Sequence, residues 1–198
     1  MRLVLASQSP SRLMILCNAG VSPLQHPAHV DEDAIIASLG NTSPATTVTT
    51  LARAKADAVA PHYPDDVVVG CDSMLLLDGT LQGKPHTVEE TIRRWKAQRG
   101  RTAELVTGHA IGYGGTWVVD TVSTRIHFGD VSDADIEAYA RSGEPLECAG
   151  AFTLEALGGW FIDSIEGDQT SVIGLSLPLL RRALYSFGLD ASSLWSKP

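Results

Sequence analysis

Leu5-Ala6-Ser7-Gln8-Ser9-Pro10-Ser11-Arg12 delivers a short apolar run to a helix start, with Ser9 as cap and Pro10 at the first helical position. Backbone N–H groups at a helix N-terminus have no intrahelical partner and attract anions. Ser7 and Ser9 add hydroxyl donors there. Arg12 puts a cation in the first turn, where the helix dipole disfavours it. A phosphate bound at that terminus accounts for the placement; so does an ordinary cap followed by a solvated arginine.

Lys55 is placed more tellingly. On a helix over 44–60 it shares a face with Leu51, Ala52, Ala58 and Val59, while Arg53 points elsewhere, to solvent. A lysine on an apolar face either snorkels or meets an anion. Asp72 ends the strand Val67–Gly70, just past Cys71, a position suited to a base, a metal ligand or a turn cap. Lys84 follows in Gly83-Lys84-Pro85, and Asp31-Glu32-Asp33 and Glu166-Gly167-Asp168 are acidic turns. Together Arg12, Lys55 and Lys84 supply cations for a triphosphate. Glu32, Asp72 and Asp168 supply oxygens for a hard divalent metal, which takes one or two carboxylates plus substrate phosphates. The set fits phosphoryl chemistry and lends nothing to redox or acyl transfer.

Three tempting motifs fail on their own terms. Gly112-Tyr113-Gly114 lacks the third glycine of a dinucleotide loop and lies in an expected hairpin. Gly83-Lys84 is followed by Pro85, not the Ser or Thr of a P-loop. Gly174-Leu175-Ser176 is not completed by a glycine, since position 178 is Pro.

The elements that must position these side chains belong to one domain of 198 residues or two tightly joined lobes. Hydrophobic residues make up 44% and charged residues 19%, a globular mix. A net charge of -8 argues against a nucleic-acid coat but leaves room for a small basic pocket. Three scattered cysteines and six histidines without HxxxH or HxH spacing make neither a disulfide framework nor a zinc site. No apolar run reaches the roughly 20 residues of a membrane helix, and the start is too short for a signal peptide; cytosol is expected.

Strands are expected over 2–6 and 67–69, a hairpin at Asp78-Gly79, and a second hairpin of 103–111 with 117–128. Helices are expected from Ser9-Pro10 to Gly20, with Leu13, Met14, Leu16 and Cys17 inward, and over 44–60. A further helix opens at the capping box Thr87-Val88-Glu89-Glu90, with Ile92 and Trp95 on one face. Others start at Ser132 and near Pro178. Strands are expected around Phe152 and over Trp160–Ile165. Helices and strands mix without strict alternation, so the sheet should be mixed.

The order of these pieces resembles the Maf family of nucleotide pyrophosphatases from Leu5 to about Leu184. The resemblance is carried by Leu5–Arg12, Val30-Asp31-Glu32, Leu51–Ala56, Val69-Gly70-Cys71-Asp72-Ser73 and Gly83-Lys84-Pro85. It continues through Val106-Thr107-Gly108, Gly143-Glu144-Pro145, Ala149–Phe152 and Ile165–Asp168 to Val172–Leu175. It implies a single α/β domain over 1–198, an elongated mixed-sheet fold of the Maf/Ham1 type with an inosine triphosphatase-like cleft between two lobes. It also implies hydrolysis of nucleoside triphosphates at the α–β bond with a divalent metal, Mg or Mn. Asp72 then takes the base position, Glu32 and Asp72 the metal, and Ser7, Ser9, Arg12, Lys55 and Lys84 the phosphates. The partner implied is the triphosphate, with neither nucleic acid nor membrane, and a homodimer is admitted. The rival reading is a nucleotide-sensing regulator without turnover, linked to cell-division control.

Three positions linked in the family to base preference fall on Ser11, Ser73 and Glu155. Pyrimidine-preferring members typically carry Arg, Thr and Gln there, and members preferring 7-methylguanosine triphosphate carry Glu at the third. Glu155 matches the latter, and Ser73 keeps only the hydroxyl of Thr. Cys148-Ala149-Gly150 departs from the Lys-Ala-Gly common in the pyrimidine group.

Overall fold

The computed structural model describes residues 1–196. Among them the strands are β1 (Leu3–Leu5), β2 (Leu24–Gln25), β3 (Val67–Leu77), β4 (Thr80–Gln82), β5 (Thr102–Tyr113), β6 (Thr116–Phe128) and β7 (Ile162–Glu166). The α-helices are α1 (Pro10–Asn18), α2 (Glu32–Leu39), α3 (Pro44–Val59), α4 (Val88–Gln98), α5 (Asp133–Arg141), α6 (Gln169–Ile173) and α7 (Leu177–Ser186). The sheet is mixed, as expected, in the order β2-β1-β3-β5-β6-β7 with β4 paired to β3. No helix among the described residues is long and apolar enough to cross a membrane.

The chain divides into two compact units. The first holds Met1–Asp72, Thr107–Val122 and the chain from Gly174 onward. Here β1 runs parallel to both β2 and β3, with Leu3 opposite Val67 and Leu5 opposite Val69. Helix α3 covers this sheet through Ala52, Ala56 and Val59, which pack with Val4, Ala6, Val68 and Ala110. It approaches the strands very closely. A Cβ at Gly70 would lie 2.3 Å from the Ala52 carbonyl oxygen, and one at Gly108 2.4 Å from that of Val48. These two glycines let the helix backbone rest on the sheet, and that contact sets where Lys55 emerges.

The second unit holds Ser73–Val106 and Ser123–Ile173. Its core surrounds Trp95, which meets Phe128, Tyr139 and Phe161 edge-on at ring separations of 5.5, 5.7 and 5.6 Å. The expected hairpin is present, Leu77 pairing with Thr80 across Asp78-Gly79. Antiparallel β6 and β7 set Ile126 opposite Ile165.

Four local expectations are corrected. Phe152 lies in no strand but beyond two 3-10 turns, Glu144–Glu147 and Ala149–Ala151. Gly150 and Ala151 take positive φ (71° and 60°), which a strand forbids. Their carbonyls are drawn off by side chains, Gln98 Nε2 at 3.2 Å and Trp95 Nε1 at 2.7 Å. Cys17 is exposed; only Ile15 and Leu16 of α1 are buried. Thr87 caps α4, but Glu90 pairs forward with Arg93 and Arg94 rather than closing the capping box. Ala58 is exposed, and the buried face of α3 runs instead through Leu51, Ala52, Lys55, Ala56 and Val59.

Candidate active site

In the first unit, the turn from β1 into α1 gathers Ser7, Ser9 and Arg12. Ser9 caps α1, its hydroxyl accepting the Arg12 N–H at 3.4 Å. The Ser7 hydroxyl oxygen accepts two bonds, from the Ser9 N–H (3.1 Å) and from Arg12 Nη1 (3.2 Å). Both acceptor positions of that oxygen are taken, so its own proton is left to donate outward. Gln25 Nε2 pins the Ser7 carbonyl at 2.9 Å. Arg12 Nε donates to the Gly174 carbonyl at 2.8 Å. Ser176, at the start of α7, donates its N–H to Nε2 of buried His109 at 2.8 Å, fixing the turn that carries this carbonyl. Sequence reading missed both Gly174 and His109. The motif Val172–Leu175 marks the segment without showing what it does. Ser11, the second helical residue of α1, is half-buried.

Lys55, Asp72 and Glu32 converge in the same unit. Lys55 Nζ lies 2.6 Å from Asp72 Oδ1 and 2.9 Å from Glu32 Oε1, so the lysine meets anions rather than snorkelling. Glu32 is the first residue of α2, which Asp31 caps by accepting the Ala34 N–H at 2.9 Å. Asp72 is not at a strand end: β3 continues through Ser73 to Leu77, whose residues suit extended backbone. It does lie just past Val69, the last partner of β1, at the carboxyl end of the parallel pair, where α/β folds place ligands. It is 6% exposed, and its Oδ2 is buried with no hydrogen-bond partner among the described residues. Burial raises its carboxyl above the usual range, opposed by the charges of Lys55 and Arg12 and reinforced by Glu32.

Among the described residues no three His, Cys, Asp or Glu cluster as a metal cage. Two carboxylates joined through one ammonium, one of them with an orphaned oxygen, nevertheless fit a magnesium-type ion that completes its shell with substrate phosphates. Asp168 is committed otherwise. Its Oδ1 accepts from the Thr170 N–H (2.9 Å), the Thr170 hydroxyl (2.7 Å) and the Ser171 N–H (3.3 Å), capping α6.

In the second unit Lys84 follows β4 and pairs with Glu147 at 3.4 Å; His86 meets the same carboxylate at 3.1 Å. Ser73 is half-buried and Glu155 exposed. Burial first, then the charges of Glu155 and Glu144, push the Cys148 thiol up to about 11.

The Maf-like protein family profile matches residues 2–187. A protein named nucleoside triphosphate pyrophosphatase from Corynebacterium efficiens is 72% identical over 197 residues, covering 100% of both chains. Proteins of the same name from Corynebacterium glutamicum and Nocardia farcinica are 67% and 54% identical, each covering 99% of this chain and 100% and 97% of their own. Among solved structures, the Staphylococcus aureus Ham1 protein overlaps 66% of this chain and 73% of its own with a TM-score of 0.40 and 16% identity, too distant to argue from. On the profile and these full-length identities, the chain belongs to the Maf-like family.

Proposed function

We propose that the chain hydrolyses nucleoside triphosphates to the monophosphate and pyrophosphate. The observation that carries this is the buried Asp72 carboxylate, whose Oδ2 has no partner among the described residues while its Oδ1 is held by Lys55. An oxygen so placed, with its pKa raised by burial, suits accepting a proton from an attacking water. Water attacks the α-phosphorus in line, the new P–O bond forms, and the bond to the bridging oxygen breaks to release pyrophosphate. Arg12, Ser7, Ser9 and the α1 N-terminus hold phosphate oxygens, and Lys55 neutralises charge as it grows there. Lys84 is assigned to the phosphates by its Gly-Lys-Pro motif. Glu32 and Asp72 would hold a divalent ion, Mg or Mn, which would neutralise phosphate charge and acidify water. Turnover on such substrates and three free cysteines fit a cytoplasmic setting.

Glu155 sets the expected substrate. A carboxylate accepts the adjacent N1–H and N2–H₂ donors of guanine together, whereas it faces the carbonyl oxygens of uracil and thymine unfavourably. Guanine- or cytosine-type triphosphates, including 7-methylguanosine triphosphate, should therefore outrank thymidine triphosphate. Clearance of modified nucleotides is the corresponding role. Pyrophosphate release with magnesium across a panel of nucleotides tests the proposal. Tight binding without release would leave a nucleotide sensor instead.

A further inference from the structure

Glu144 is a carboxylate that the phosphate chemistry does not use, yet it is among the most heavily bonded side chains of the second unit. Its Oε1 accepts from the Thr153 hydroxyl, from Tyr139 OH (3.2 Å) and from the Gly158 N–H (3.1 Å). Its Oε2 accepts from the Leu157 N–H at 3.2 Å. Tyr139 OH in turn accepts the Thr153 N–H at 3.1 Å, and the Thr153 hydroxyl oxygen accepts the Gly158 N–H at 3.2 Å. Burial alone would raise the Glu144 carboxyl. The bonds from Thr153, Gly158, Leu157 and Tyr139 instead bring it below the usual range, so it is ionised and purely an acceptor.

These bonds grip both ends of one loop. Thr153 opens it, Leu157 and Gly158 close it, and Glu155 stands exposed between them. Glu155 itself makes one bond back to the chain, Oε2 accepting the Leu154 N–H at 3.0 Å. The anchor reaches the core, because Tyr139 packs on Trp95. A loop held only at its tip would spread Glu155 over many positions, and selection by hydrogen bonds tolerates little misplacement, on the order of 0.5 Å. We infer that Glu144 is a positioning residue for base selection, its carboxylate clamping residues 153–158 so that Glu155 is presented to the nucleobase. The inference rests on the reading of Glu155 as the base-selective residue.

The test is kcat/KM for guanosine, 7-methylguanosine, uridine and thymidine triphosphates in the wild type, Glu144→Gln, Thr153→Val, Glu155→Gln and Glu144→Gln/Glu155→Gln. Melting temperatures are recorded alongside. Gln at 144 keeps one acceptor oxygen and turns the other into a donor that cannot take the Leu157 N–H. Val at 153 removes the bridging hydroxyl at nearly constant shape, and decides the matter should Glu144→Gln fail to fold. Glu144→Gln and Thr153→Val are each expected to compress the guanine-to-thymine ratio by about tenfold, toward that of Glu155→Gln. The double variant should match Glu155→Gln alone, since a clamp has nothing to present once the carboxylate is gone. A ratio unchanged in Glu144→Gln and Thr153→Val but shifted in Glu155→Gln overturns the clamp and keeps the base-reading residue. A ratio unchanged in Glu155→Gln overturns both.

Discussion

Lys55 Nζ sits 2.6 Å from Asp72 Oδ1, an ion pair in which both side chains are almost wholly buried. The relationship ties the proposed base to the proposed phosphate cation. It arises because Gly70 and Gly108 let α3 rest directly on the strands. Asp72→Asn preserves the oxygen that accepts from Lys55 and removes the proton acceptor. Turnover should fall by roughly 10²–10⁴ while triphosphate affinity stays within a few-fold. Pyrophosphate release and calorimetric titration measure the two quantities separately. Near-normal turnover would remove Asp72 from the role of base.

The same pair controls stability. Lys55 lies on the apolar face of α3, and from that spacing alone Lys55→Met, which keeps the stem volume, would be expected to fold normally. The structure revises this, because Met strands the Asp72 charge in the interior. Breaking one side of a buried pair costs about 3–5 kcal/mol, whereas replacing both partners is far milder. Lys55→Met should therefore lose stability in urea at pH 7, and Lys55→Met/Asp72→Asn should recover most of it. Equal midpoints for Lys55→Met and the wild type would show that the pair contributes nothing to folding.

Lys84 poses a simpler question, being exposed and, among the described residues, paired with Glu147. Lys84→Ala and Lys55→Ala are both expected to weaken triphosphate binding more than monophosphate binding, since each lysine is assigned to the departing pyrophosphate. Titrations with both ligands measure the difference, and Lys84→Ala, which breaks no buried pair, gives the cleaner comparison. Equal losses on the two ligands would place these lysines away from the leaving group.

At the other end of the first unit, Asp66 accepts the Arg2 N–H at 2.7 Å and the Arg2 guanidinium at 2.7 and 3.2 Å, fastening the start of β1 to β3. Hydrogen bonding to Arg2 holds the Asp66 carboxyl below the usual carboxylate range. A folded-state pKa below the unfolded one gives stability that is present above the unfolded value and lost as pH falls through the folded value. Asp66→Asn should lower Tm at pH 7, with a gap to wild type that closes in acid. The gap should be modest, because Arg2 is largely exposed and solvent screens the pair. A gap independent of pH would assign the loss to hydrogen-bond geometry and not to charge.

How much of this was readable in the residues depended on how local the cause was. The cap at Ser9, the buried face carrying Lys55 and the Asp78-Gly79 hairpin each follow from a few adjacent side chains, and each is present. Asp72 is legible as a site residue but its setting is not: it lies within a long strand, past the end of its parallel partner. The segment around Phe152 reads as a strand because its apolar residues are buried. Its conformation is dictated by Trp95 and Gln98, more than fifty positions away. Arg53, expected in solvent, instead covers Trp117 at 3.9 Å while pairing with Asp57. Arg12 is legible at its helix start, but nothing near it names the carbonyl that orients it.

That carbonyl belongs to Gly174, 162 positions along the chain, and it supports the last prediction. Gly174 has φ near +128°, a conformation that favours glycine, and a Cβ there would lie 3.0 Å from Arg12 Nε and 3.2 Å from its Cγ. Gly174→Ala thus strains the turn and displaces the guanidinium at once. The strain should cost about 1–3 kcal/mol, which a well-packed domain tolerates. The displacement should weaken triphosphate binding by about tenfold, because a guanidinium recognises phosphate through fixed fork geometry. Arg12→Lys should lose a similar factor, since an ammonium cannot bond the Gly174 carbonyl and the Ser7 hydroxyl as the guanidinium does. If the glycine acts through Arg12, Gly174→Ala adds little on an Arg12→Lys background, so the two losses are strongly sub-additive in KM for triphosphate. Losses that multiply, or a Tm drop with KM unchanged, would make Gly174 a turn residue with no hold on the phosphate site.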